Sequence, residues 1–114
     1  KDMNSMFKDC TKFDGNISNW TVSEVTDMDY MFKNATTFNQ NIGKWDTSKV
    51  KTMSHMFCFT KKFNQYIGDW DTTQVTDMQC IFAYTHEFNQ NINSWNTSNV
   101  KNMEKMFYHA KKIN

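Results

Sequence analysis

The chain contains no leucine, no arginine and no proline, and only 3 glycines and 3 cysteines in 114 residues. Without arginine it lacks the planar, permanently charged fork best suited to gripping a phosphate or carboxylate through two parallel hydrogen bonds. Neither sign of charge dominates: 13 lysines stand against 12 acidic residues, a formal net charge of +1. Nucleic acid, which calls for a concentrated basic surface, is therefore not an expected partner. No apolar run approaches the ~18 residues of a membrane-spanning helix, and the mean hydropathy is −0.77. Membrane insertion by this segment is not expected. Lys1-Asp2-Met3-Asn4 leads straight into patterned sequence, so no signal peptide is expected there. What is abundant excludes disorder: 4 Trp, 10 Phe and 9 Met are too many for a solvated chain. The length suits one small domain, residues 1–114.

The dominant feature is a repeat of 25 residues without insertion or deletion. It joins Phe13, Phe38, Phe63, Phe88 and Ile113, and likewise Ile17, Ile42, Ile67 and Ile92. Trp20, Trp45, Trp70 and Trp95 keep the same step, as do Val25, Val50, Val75 and Val100. So do Met3, Met28, Met53, Met78 and Met103, and Met6, Met31, Met56, Ile81 and Met106, each of the latter beside a Phe. The copies run 13–37, 38–62, 63–87 and 88–112, preceded by a partial copy 1–12.

Within one copy, Met53, Met56, Phe57 and Thr60 sit at i, i+3, i+4 and i+7, the spacing of a single helical stripe. Asp2, Asp27, Thr52, Asp77 and Asn102 precede the stripes as expected N-caps. This half predicts a helix of about two turns. The other half predicts a short strand near Phe38–Ile42, and a bridge-length one near Val50. A unit so short cannot bury its own apolar face, so copies are expected to stack like on like. The expected fold is a right-handed α/β repeat solenoid of about four and a half coils, each a short strand plus a short helix. Asp14, Asn39, Asn64, Asn89 and Asn114 are expected to bond to the next turn's backbone, with sugar binding as the alternative.

The run Phe-Asn-Gln-x-Ile-x-x-Trp-Asp-Thr-Ser-x-Val-x-x-Met-x-x-Met-Phe resembles the 25-residue repeat of BspA-type surface proteins. That repeat is also the mollicute lipoprotein domain of unknown function, grouped with leucine-rich-repeat-like solenoids. The resemblance spans essentially the whole chain. It implies a bacterial cell-surface setting within a longer protein and a role in adhesion or host contact, with no catalytic residue and no cofactor. Departures include Asp14-Gly15 and Thr21-Val22 in the first copy, and Ile81 and Ile113 at Met and Phe positions. No polar capping repeat is recognisable, so either the array continues or its ends stack on other copies.

The chemistry-bearing residues form no recurrent constellation. Cys10, Cys58 and Cys80 occupy three different places in the repeat, without the CxxC spacing of a zinc site, and are expected to fill small positions. His55, His86 and His109 are scattered and expected on the surface, and the methionines are expected in the core rather than on a metal. The sequons at Asn16, Asn19, Asn34 and Asn96 follow from composition. Thr47, Thr72 and Thr97 form a possible hydroxyl row for ice or glycan, or else cap the turn before the Val. Phe59, Tyr84 and Tyr108 replace polar residues of the earlier copies, so a contiguous aromatic patch is expected over three coils, as a partner surface or as local packing. The expected function is a non-catalytic adhesion or protein-binding module. Its partner would be a protein or host surface component. A head-to-tail filament or surface layer is the alternative.

Overall fold

In each Met-x-x-Met-Phe segment, alternate amides leave their own stretch of chain. Met53, His55, Phe57 and Phe59 donate to the carbonyls of Asp77, Gln79, Ile81 and Ala83, at 2.8–3.0 Å. The amides between them, of Met56, Cys58 and Thr60, close tight turns onto Met53, His55 and Phe57 at 3.1–3.2 Å. The same double pattern recurs in the segments that begin at Met3, Met28 and Met78, with the turn closures continuing to Ala110, and it describes a chain wound in superposed 25-residue turns. The computed structural model describes residues 1–112. Ile113 and Asn114, the last members of the Phe and Asn series, lie outside them.

No described residue is helical, and strand structure is confined to isolated parallel bridges, Asp2↔Asp27↔Thr52↔Asp77↔Asn102. The expectation of an α/β, leucine-rich-repeat-like solenoid with a strand and a helix in every coil is overturned. The molecule is instead a small body of 31 × 29 × 21 Å built from turns.

The reason lies in the backbone. Ser5 and Asp9, Tyr30 and Asn34, His55 and Phe59, Cys80 and Tyr84, and Lys105 and His109 all have φ between 55° and 63°. An α-helix cannot pass through that left-handed region at every fourth residue. Corners four residues apart nevertheless bury i, i+3, i+4 and i+7 together, since four is close to the 3.6 residues of a helical turn. Met53, Met56, Phe57 and Thr60 are indeed all buried. The expected N-caps cap turns instead: Asp2, Asp27, Asp77 and Asn102 accept the amide two residues on, at 2.7–3.0 Å.

The expected strand at Phe38–Ile42 also fails to form. The N–H of Phe38 closes a turn onto Ala35 at 3.2 Å and that of Asn39 donates to Asp14 Oδ1 at 2.9 Å, as the N–H of Asn64 in the next copy does to Asn39 Oδ1. Near Val50 the amide closes a turn onto Thr47 at 3.0 Å, and the bridge falls at Thr52.

Three aromatic columns fill the interior. Phe7, Phe32, Phe57, Phe82 and Phe107 stack at 5.6–5.8 Å between centroids. Phe13, Phe38, Phe63 and Phe88 stack at 5.8–5.9 Å, and Trp45, Trp70 and Trp95 at 6.3 Å. Within each winding the two Phe rings lie face to face, 4.1–4.4 Å apart. Met28, Met31, Met53, Met56 and Met78 are fully enclosed beside them. The windings approach so closely at Gly43 that a Cβ there would strike the carbonyl oxygen of Tyr66. Every buried side-chain nitrogen or oxygen among the described residues has a hydrogen-bond partner.

Candidate functional site

The second left-handed corner of each winding forms a column of its own: Asp9, Asn34, Phe59, Tyr84 and His109. A positive φ turns these side chains away from the inward positions on either side. Main-chain bonds fix the corners on one another, from Phe59 N–H to the carbonyl of Ala83 at 3.0 Å and from Tyr84 N–H to that of Tyr108 at 2.7 Å. At the polar end of the column, Asn34 Nδ2 donates to Asp9 Oδ1 at 3.1 Å. At the other end like again meets like: Phe59 and Tyr84 stack at 4.4 Å, within 3° of parallel.

Tyr108 joins this pair from the neighbouring column, edge-on to Tyr84 at 5.5 Å. Its column mates Cys58 and Ala83 are buried, whereas Phe59, Tyr84 and Tyr108 are 38%, 39% and 43% exposed. The structure thus brings the three aromatic residues singled out from the sequence into one exposed cluster. Lys105 sets its ammonium 5.2 Å from the Tyr108 ring, a cation–π contact.

Beside the rings lies a groove of about 690 Å³, lined by Phe59, Tyr84, Lys61, Lys62, His86, Glu87, His109 and Lys111. Sequence reasoning missed its polar wall. The available signal was that Lys61, His86 and Lys111 share one repeat position, where the earlier copies carry Thr11 and Thr36. Among the described residues Glu87 is the groove's sole carboxylate, and both its oxygens are engaged, by His86 Nδ1 at 2.6 Å and by Lys112 Nζ at 3.2 Å. Those two contacts, His86 first, hold the Glu87 carboxyl below its ordinary range.

The threonine row runs differently from an outward hydroxyl array. Thr47 and Thr72 are buried, and their hydroxyls donate to the carbonyls of Asp71 and Asn96, at 3.1 and 2.9 Å. Thr97, with no described winding beyond it, is exposed. The hydroxyls of Thr47 and Thr72 therefore staple one winding to the next instead of facing solvent or capping their own turn.

Cys10, Cys58 and Cys80 are unpaired; Cys10 is exposed and Cys58 buried. Burial pushes the Cys58 thiol up to about 11. No group of three or more His, Cys, Asp or Glu among the described residues is placed to hold a metal ion. No helix among them is long and apolar enough to cross a membrane.

No curated protein and no solved structure matches the chain. Residues 40–114, which include the whole aromatic cluster, match the family model described as Mycoplasma protein of unknown function, DUF285, and the chain belongs to that family.

Proposed function

We propose that this chain is a non-catalytic binding module of a bacterial surface protein, and that it holds a protein partner through Phe59, Tyr84 and Tyr108. The observation that carries the reading is the exposed Phe59–Tyr84 stack on the wall of the groove. Two rings already locked against each other lose little freedom on binding, and exposed aromatic residues of this kind anchor protein interfaces. Glu87 orients His86, but the groove's lining residues include no serine, threonine or cysteine for that imidazole to activate, which suits recognition without turnover. The likeness of the repeat to the BspA-type surface repeat supports the cell-surface setting and a role in adhesion.

Beads coated with the purified chain, offered to cultured epithelial cells, test this reading. The double variant Phe59→Ser/Tyr84→Ser should lower adhesion about tenfold with its thermal melt unchanged. Equal adhesion by variant and parent overturns the reading, and a collapsed melt shows the rings to be core.

A further inference from the structure

The ion pairs among the described residues are Lys49–Glu24, His86–Glu87 and Lys112–Glu87. Lys61, Lys62 and Lys111, all on the groove, therefore have no carboxylate of a described residue within the 4.0 Å of an ion pair. The charge of Glu87 is answered by Lys112, which pairs with it at 3.2 Å, rather than by these three lysines. A chain of net charge +1 thus gathers three uncompensated cations on one apolar-floored groove. Lys33 and Lys105 add two more along the neighbouring hollow, on the far side of Phe59 and Tyr84.

The rings sharpen this preference. Phe59 lies flat against Tyr84 from one winding, and His109 closes on Tyr84 from the other at 5.2 Å. Tyr84 therefore offers its edge rather than its face, and ring edges carry the positive end of the aromatic quadrupole. A sugar ring, which needs an open aromatic face to lie on, has no platform at Tyr84. An extended peptide fits better: its apolar side chain meets the ring edges and its carboxylates meet the lysines on both flanks.

We propose that the groove binds an acidic peptide segment of the partner, with an apolar side chain against Phe59 and Tyr84 and carboxylates on Lys61, Lys62 and Lys111. This rests on the reading of the aromatic cluster as the partner surface, and it adds the partner's charge.

Fluorescence anisotropy on the full chain tests it with three labelled peptides sharing one central Leu-Phe pair, flanked by Glu, by Gln or by Lys. The Glu peptide should bind at least about tenfold more tightly than the Gln peptide, and the Lys peptide not at all. About 0.5 M NaCl should remove most of that advantage. The triple variant Lys61→Glu/Lys62→Glu/Lys111→Glu should invert the order, because all three side chains are exposed and the fold does not depend on them. Equal binding of the Glu and Gln peptides, lost in Tyr84→Ser, overturns the acidic preference and leaves the aromatic reading intact. Binding of none of the three overturns both. Lysine-dependent binding of hyaluronan in place of any peptide also overturns the proposal, the source of negative charge then being a glycan.

Discussion

The indole N–H of Trp70 donates to the main-chain carbonyl of Ile42, reaching back 28 residues into the preceding winding at 2.9 Å. Trp45 makes the same bond to Ile17 at 3.1 Å, and Trp95 to Ile67 at 2.9 Å. Each tryptophan thus fills a slot beside the Phe columns and adds a second donor to a carbonyl that already closes a turn, as Ile42 does by accepting the Trp45 amide at 3.2 Å. Trp70→Phe keeps an aromatic ring but removes the buried bond between windings, leaving the Ile42 oxygen with the Trp45 amide alone, and opens a partial void. The expected cost is about 2 kcal/mol in urea unfolding followed by circular dichroism. A loss no larger than that of an exposed substitution would show that water replaces the indole there.

Which residues are inside was legible in the sequence, because the 25-residue step forces like onto like whatever the backbone does. The local conformation was not. His55, Phe59, Tyr84 and Lys105 take left-handed corners that usually announce themselves as glycine or asparagine, and of these corners only Asn34 carries such a residue. Asp2 and Asp27 accept amides as foreseen, but turns and helices ask for the same capping chemistry, so the capping residues could not choose between them. The aromatic cluster was visible as a departure from the repeat. The lysines of the groove were not, since lysine is common throughout the chain.

Asn64 tests how the polar column works. Its Oδ1 accepts the amide of Asn89 at 2.9 Å and the Nε2 of Gln90 at 3.0 Å. Asp14, two windings earlier, accepts the amide of Asn39 and the Nε2 of Gln40 through its own Oδ1, both at 2.9 Å. The function of the column is therefore acceptance by one oxygen, which a carboxylate performs as well as an amide. Asn64→Asp should change stability by less than about 0.5 kcal/mol. Asn64→Leu removes the acceptor of the Asn89 amide, while Gln90 Nε2 keeps the main-chain carbonyl of residue 64 at 3.1 Å, and should cost about 1 kcal/mol in the same unfolding assay.

The cysteines should separate by reactivity. Cys58 is closed off beneath the next winding with its thiol raised to about 11, while Cys10 stands in solvent. Cys80, partly buried, has its thiol raised in the same direction by the same cause. Iodoacetamide near neutral pH should therefore alkylate Cys10 first, Cys80 slowly, and Cys58 only after denaturant is added. Peptide mapping by mass spectrometry reads the order. Modification of Cys58 at the rate of Cys10 would mean that the windings open at that point.

Asp29 repairs a gap in the series of capping residues, and this makes its charge a liability. Asp2, Asp27, Asp77 and Asn102 each cap their own turn, but the corresponding residue of the third winding is Thr52, whose side chain cannot reach in the same way. Asp29 supplies the missing acceptor from the winding before: its Oδ1 takes the Ser54 amide at 2.7 Å and the Thr52 hydroxyl as well. Partial burial raises its carboxyl above the ordinary 3.8, against the lowering effect of those two bonds, with Asp27 and Asp77 adding to the rise. For an acid with a folded-state value raised above the unfolded one, the stabilising contribution is complete below the unfolded value. It is lost as pH rises through the folded value. At neutral pH the ionised Asp29 therefore weakens the fold. Asp29→Asn keeps an oxygen for both donors and removes the charge, so it should raise the melting temperature at pH 7 by about 2 °C. At pH 3, where both side chains are neutral, the two melts should coincide. A variant less stable than the parent at pH 7 would mean that the negative charge strengthens the Ser54 and Thr52 bonds by more than its desolvation costs.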